Sequence, residues 1–119
     1  MDYSKLSDQE INRLVARQFP ETYLFNEEGN PYQLIPDSMA AYSGSDFDEV
    51  DFQPCGNPED AWPIIAENEI SIIFNWNEEG LHGATNQPWI SSENANPLRA
   101  AMECFLMIKE SANVQDNPA

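Results

Sequence analysis

Four carboxylates stand close together in the middle of the chain, at Asp46, Asp48, Glu49 and Asp51. Carboxylate oxygens are the ligands that Ca²⁺ and Mg²⁺ prefer, so a small metal-dependent hydrolase that uses this cluster is one hypothesis. The cluster lacks the glycine and the distal glutamate of an EF-hand loop. A solvated run of charges is therefore the favoured interpretation, and we expect neither a metal nor another cofactor.

Nucleophilic catalysis would have to use His82, which is the only histidine. The chain shows neither a nucleophile elbow nor the signature of a reactive cysteine, so we expect His82 to be an exposed residue at a strand end. Cys55 lies in a loop and Cys104 in an apolar segment, and both are predicted to be free thiols. A glycine-rich phosphate loop is also missing. These observations predict a protein that is not an enzyme.

The charge of the chain is strongly negative and unevenly distributed. The formal net charge is −16, from 21 acidic and 5 basic residues. Residues 18–98 contain no Lys or Arg but 15 Asp and Glu. Such a surface repels nucleic acids and anionic membranes, and it attracts basic protein surfaces. The alternative is that the charge serves solubility alone.

Large aromatic side chains accompany some of these charges. Trp76 stands in the segment NWNEE beside Glu78 and Glu79, and Trp is enriched at the energetic centres of protein interfaces. A ring that closes the edge of the core is the alternative. The candidate protein-binding residues are Asp46, Asp48, Glu49, Asp51, Trp76, Glu78 and Glu79.

The first half of the chain predicts one helix and a hairpin. Ser7 and Glu10 form a capping box at the start of a helix over 6–19. Residues 22–25 and 32–36 predict two strands joined by a turn. The alternating segment 47–52 is either a loop or an exposed edge strand.

The second half begins with a helix over 57–67, which starts at an asparagine followed by a proline. Trp62, Ile64 and Ile65 give this helix a large apolar surface, and most of the large aromatic side chains of the chain are expected to lie in the core. Pro63 is expected to cause either a kink or a short, tight first turn. Residues 70–76 give the strongest strand pattern in the chain. Residues 81–85 are predicted to return antiparallel to that strand.

The longest helical segment is NPLRAAMECFLMIKE, at 96–110. Most of its faces are apolar, so it should lie in the core between a sheet and another helix. Arg99, Glu103 and Glu110 form its polar stripe, which we expect to face solvent. A polar tail follows at 111–119.

Three blocks of the sequence, taken together, resemble the NinX-like family of small proteins from lambdoid phages and prophages of enteric bacteria. The blocks are MDYSKLSDQEIN, NPEDAWPIIAENEISI and NPLRAAMECFLMIKE, in that order. The resemblance implies a phage accessory gene near the late regulatory genes, and it implies no particular chemistry.

We therefore predict a single α+β domain over 1–119, with three helices on one face of a small antiparallel sheet centred on 70–85. The predicted function is that of an acidic phage accessory protein in the cytoplasm of the bacterial host. Its expected partner is a host or phage protein with a basic surface, with no direct contact to nucleic acid or membrane. A sharper hypothesis is a nucleic-acid-mimicking inhibitor of host defence. The oligomeric state stays open.

Overall fold

The computed structural model describes residues 1–36, 47–87 and 90–115. Within these ranges the chain has three α-helices and six β-strands, so the predicted α+β class is confirmed. The helices are α1 (Asp8–Ala16), α2 (Pro58–Glu67) and α3 (Pro97–Gln115). The strands are β1 (Leu24–Phe25), β2 (Pro31–Pro36), β3 (Phe47–Asp51), β4 (Ser71–Glu78), β5 (Leu81–Gln87) and β6 (Ile90–Asn94).

The strands form two antiparallel sheets of three strands each. The first sheet has the order β1–β2–β3, and it contains the hairpin and the edge strand that the sequence predicts. The second sheet has the order β4–β5–β6, with β5 at its centre. The predicted sheet around 70–85 therefore corresponds to the second one. The hairpin and β3 form a sheet of their own because β2 pairs with both β1 and β3.

The capping box predicted for α1 is present. The side chain of Ser7 accepts a hydrogen bond from the backbone N–H of Glu10, and the Glu10 carboxylate accepts one from the backbone N–H of Ser7, both at 3.1 Å. These two bonds satisfy donors that the start of a helix leaves free. The helix ends at Ala16, and tight turns then bring Phe19 onto the ring of Phe105.

The turn between β1 and β2 is built by one asparagine and one glycine. The side chain of Asn26 accepts hydrogen bonds from the backbone N–H groups of Glu28 and Asn30, at 3.0 and 2.9 Å. Gly29 adopts a φ of 85°, which glycine reaches without steric cost. The guanidinium of Arg13 donates to the carbonyl oxygen of Glu28 at 3.0 Å. The hairpin is thereby fastened to α1.

Helix α2 buries a narrower face than expected. Ala61, Ile64 and Ile65 are buried, but Trp62 is 65% exposed, so it is an exception to the expectation that most large aromatic side chains lie in the core. Position 62 lies about 100° around the helix from Ala61, because each residue advances by that angle. Pro63 lies inside the helix, as the sequence shows.

Helix α3 is the centre of the core, as predicted. Its residues Ala100, Ala101, Met102, Cys104 and Phe105 are fully buried. Helix α3 packs on the second sheet, and both α1 and α2 also pack against α3. The helix continues to residue 115, so the first part of the predicted polar tail is helical.

The polar stripe of α3 does not face solvent as predicted, because Arg99 and Glu103 are only 5% and 2% exposed. The Arg99 Nε donates to the Glu103 carboxylate at 3.0 Å, and Nη1 donates to the Asp8 carboxylate at 2.6 Å. Nη2 donates to the carbonyl oxygens of Tyr3 and Leu6, at 3.0 and 2.6 Å. The guanidinium therefore connects α3 to the N-terminal segment and to α1.

Burial alone would disfavour the charge of Arg99. The hydrogen bond to Asp8 and the nearby charge of Glu103 outweigh this effect, so the pKa of Arg99 is raised above its usual value. Of the three stripe residues, Glu110 is the one that lies exposed. Its carboxylate accepts hydrogen bonds from the N-terminal amine at 3.1 Å and from the Tyr3 hydroxyl at 2.9 Å.

Replacing Arg99→Met should lower the free energy of unfolding by about 3–5 kcal/mol, because Glu103 would remain buried without a counter-charge. Urea unfolding followed by circular dichroism measures the change. The matched control is Arg17→Met, since Arg17 is exposed at the end of α1 and should change stability by less than about 0.5 kcal/mol. Equal losses in both variants would contradict the structural role of Arg99.

Candidate functional site

The acidic segment of the sequence forms the outer strand of the first sheet. Strand β3 pairs with β2 over residues 47–51, and no other described strand pairs with it. The side chains of a strand alternate between its two faces. Asp48 therefore lies on one face, while Glu49 and Asp51 lie on the other. Asp46 falls outside the described residues.

The register of the first sheet defines the composition of each face. Leu24 pairs with Tyr32, which pairs with Asp51, and Leu34 pairs with Glu49. Directly paired residues in antiparallel strands share a face. We call this the outer face, and it consists of Leu24, Tyr32, Leu34, Pro36, Phe47, Glu49 and Asp51. The inner face meets the core at its base, where Pro31 is buried.

The outer face exposes apolar side chains together with its carboxylates. Leu24, Leu34 and Phe47 are 48%, 44% and 52% exposed. The three strands of this sheet contain no Lys or Arg, so no basic residue of the sheet balances Glu49 and Asp51. A surface that is both apolar and negatively charged is suited to contact a basic protein.

The other candidate residues lie on a different sheet. Trp76 and Glu78 belong to β4, and Glu79 lies in the turn between β4 and β5. The seven predicted binding residues therefore do not form one continuous strand surface. Glu78 and Glu79 are exposed, whereas Trp76 is half-buried.

The ring of Trp76 packs against Gly83 of the neighbouring strand. A Cβ atom added at Gly83 would overlap this ring, so the glycine provides the space that the indole occupies. Asn77 and Glu93 are joined by a side-chain hydrogen bond on the same sheet. The indole therefore has a packing role at the sheet surface, and this agrees with the alternative of a ring that closes the edge of the core.

His82 lies near the start of β5, at its second residue, but it is half-buried rather than exposed. Its Nδ1 accepts a hydrogen bond from the backbone N–H of Asn75 at 3.1 Å, so the proton of the neutral ring is on Nε2. Asn75 has a φ of 54°, at the irregularity where β4 leaves its regular pairing. The ring edge of Phe74 lies against His82, with a centroid distance of 5.0 Å. The histidine thus supports a bulge in the strand.

The cysteines and carboxylates do not assemble into a metal site within the part of the chain that the structure describes. No three His, Cys, Asp or Glu side chains gather there as a metal would require. Cys55 and Cys104 are buried free thiols. Burial raises the pKa of Cys55 to about 12 and that of Cys104 to about 11. Neither thiol is therefore activated as a nucleophile.

A cleft of about 350 Å³ lies beside the inner face of the first sheet, and the sequence analysis did not predict it. We call it the α2–α3 cleft. One wall is the side of α2 that carries Asp60, Pro63 and Glu67, and another is formed by Phe105 and Lys109 of α3. The remaining lining residues are Phe19, Thr22, Tyr23, Gln33, Glu59, Ile64 and Asn68.

Aromatic rings make one side of this cleft rigid. Phe19 stacks on Phe105 with a centroid distance of 5.8 Å, and Tyr23 stacks on Phe52 at 4.0 Å. Phe19 and Tyr23 also meet edge to face at 6.2 Å. Burial, followed by the negative charge of Asp60, raises the pKa of Tyr23. The phenol and the carboxylate both line the cleft.

The sequence predicts only one wall of this cleft, the one that α2 forms. The spacing of Asp60, Ile64 and Glu67 places these residues on one side of a helix. This spacing does not show that the turn containing Phe19 and Tyr23 lies next to α2. The turn is brought there by α3, because Phe19 stacks on Phe105. Sequence reasoning therefore could not bring the two groups together.

Comparison with known proteins identifies the family of the chain. The family model described as Bacteriophage P22, NinX matches residues 2–109. The chain belongs to this family. The match includes the outer face, the β4–β5 hairpin and the lining of the α2–α3 cleft up to Lys109. The predicted resemblance is confirmed, and membership supports a phage accessory protein.

Neither the curated proteins nor the solved structures contain a match to this chain. Among the described residues, no helix combines the length and the apolar character that crossing a membrane requires.

Replacing Gly83→Ala should destabilise the protein by about 1–3 kcal/mol, because the new methyl group must displace the Trp76 ring. Thermal unfolding measures the loss, and the indole N–H resonance of Trp76 should shift in ¹H–¹⁵N NMR spectra. Gly56→Ala is the matched control, since a Cβ there meets no atom within 4 Å. An unchanged Trp76 resonance in Gly83→Ala would disprove the packing role.

Proposed function

We propose that this member of the phage family acts in the host cytoplasm by binding a host or phage protein that presents a basic surface. The observation that carries the proposal is the outer face of the first sheet. There, Glu49 and Asp51 stand among exposed apolar side chains on three strands without a Lys or Arg. The apolar groups favour contact, and the charges select a partner of opposite sign.

The location of the first sheet supports this role. Its outer strand β3 exposes every one of its five residues. A charged edge strand is also a common protection against pairing with other sheets. Carboxylates at this position thus allow a basic surface to approach while they discourage non-specific strand addition.

Mimicry of nucleic acid is the sharper form of the proposal. Glu49 and Asp51 are two residues apart on one strand, which separates them by about 6.7 Å. Successive phosphates of one DNA strand advance about 3.4 Å along the helix axis and also wind around it, so their through-space separation is larger than this rise. A protein groove that binds the nucleic-acid backbone could therefore meet the two carboxylates in place of phosphates. An inhibitor of host defence would act in this way.

The hydrolase hypothesis receives less support from the geometry. Asp48 lies on the opposite face of β3 from Glu49 and Asp51, so these carboxylates do not converge on one ion. A hydrolase that used them would need convergent oxygen ligands.

The double variant Glu49→Gln/Asp51→Asn tests the proposal. The wild-type protein is first used to capture partners from phage-infected host cells, and the purified partner is then titrated by calorimetry. We expect the double variant to bind roughly tenfold more weakly, which corresponds to about 1.4 kcal/mol. The affinity of the wild-type protein should also fall as salt increases, because salt screens exposed charges.

The matched control is Glu78→Gln/Glu79→Gln, which removes the same charge from the second sheet. This control should bind like the wild-type protein. A loss of affinity in the control alone would place the binding surface on the β4–β5 hairpin and contradict the proposal. Affinity that is independent of salt would rule out an electrostatic contact. Competition by a DNA duplex distinguishes mimicry from simple binding, and its absence would refute the mimicry form.

A further inference from the structure

The α2–α3 cleft has the lining of a site for an organic cation. We infer that it receives the guanidinium group of an arginine side chain from the basic partner. This inference rests on the proposed function, since the partner supplies the arginine. The cleft adjoins the inner face of the first sheet through Gln33 of β2, so a partner bound to the outer face must extend a segment around the edge of this sheet to place an arginine there.

The aromatic side of the cleft is suited to a flat cation. Phe19 and Tyr23 are half-buried, so part of each ring remains open to the cleft. Stacking on Phe105 and Phe52 holds these two rings in place before any ligand arrives. A planar guanidinium is attracted by the face of an aromatic ring, and a rigid platform reduces the entropy lost on binding.

The α2 wall of the cleft offers hydrogen-bond acceptors. The carboxylates of Asp60 and Glu67 lie on the cleft side of α2. Asp60 already accepts one hydrogen bond from the backbone N–H of Gln53 at 2.9 Å, which fixes its position. Pro63 has no N–H, so the carbonyl oxygen of Glu59 lacks the donor that a helix normally supplies four residues later.

A cation of the chain itself already lies at this site. The Nζ of Lys109 is 5.5 Å from the centroid of the Phe105 ring, in a cation–π contact. Lys109 is the one basic residue among the described lining, against the three acidic residues Glu59, Asp60 and Glu67. The cleft therefore keeps a negative balance that a second cation would neutralise. The flexible side chain of Lys109 can move aside when the second cation enters.

The acceptor set favours arginine over lysine. A guanidinium has five N–H donors in one plane, whereas an ammonium has three on a single atom. The acceptors lie along one side of α2 and the aromatic rings belong to other segments of the same lining, so a flat group can contact both at once. A compact ammonium cannot span the two sides in the same way.

The probe for this inference is N-acetyl-arginine N-methylamide, titrated into the ¹⁵N-labelled full chain and followed by NMR. We expect saturable shifts at Tyr23, Asn68 and Lys109. The corresponding citrulline compound has nearly the same shape but no charge, and it should give no saturable shifts. The corresponding lysine compound should bind several-fold more weakly. Equal binding of the arginine and citrulline compounds, or of the arginine and lysine compounds, would overturn the assignment.

Two variants locate the site. Glu67→Gln removes an exposed carboxylate of the cleft and should weaken arginine binding by roughly fivefold, a change of about 1 kcal/mol. Glu79→Gln is the matched control on the β4–β5 turn and should leave binding unchanged. Lys109→Ala removes the resident cation and should strengthen arginine binding. Weaker binding in Lys109→Ala would contradict the idea that Lys109 competes with the arginine for the acidic cleft.

The failure of this inference is distinguishable from that of the proposed function. The arginine compound requires no partner, so an absence of saturable shifts refutes the arginine site by itself. The outer-face variant Glu49→Gln/Asp51→Asn does not alter the cleft lining. If this variant still loses partner affinity while the arginine compound does not bind, the proposed function stands and the cleft is not its arginine pocket.

Discussion

The fold depends on one buried guanidinium group. Arg99 enters the core on α3 and reaches four oxygen-bearing partners, which include two carboxylates and two backbone carbonyls. A buried ion pair compensates for lost hydration only when its remaining hydrogen bonds are also made. The bonds to Tyr3 and Leu6 meet this condition. They hold the N-terminal segment against the central helix, so the position of α1 depends on the same group.

Sequence patterns predicted the structure correctly where the structure is made by residues close together in the chain. Ser7 with Glu10, and Asn57 with Pro58, mark the starts of α1 and α2 because a cap is formed within three residues of the helix start. The broad apolar surface of 96–110 correctly indicated a helix enclosed by the rest of the protein. Alternation in 47–52 indicated an exposed strand, and the structure confirms that alternative.

Long-range contacts explain what the sequence could not predict. Arg99 and Glu103 are spaced as a solvent-exposed pair would be, and only partners more than 90 residues away show that they are buried. Trp62 is apolar, yet its angle on α2 turns it away from the core. Of the candidate residues, Asp48, Glu49 and Asp51 proved exposed on one strand, while Trp76 is engaged with Gly83. The α2–α3 cleft arises from three segments that meet only in the folded chain.

The tether between Tyr3, Leu6 and Arg99 also has a consequence for biosynthesis. The N-terminal residues are synthesised first, but they can dock only after α3, which carries Arg99, has been made. The N-terminal amine can contact Glu110 only after that residue, further along α3, has also been made. Contacts of such sequence separation slow folding, because a long loop must close before they form. The N-terminal segment therefore cannot dock in its native position until α3 has been synthesised.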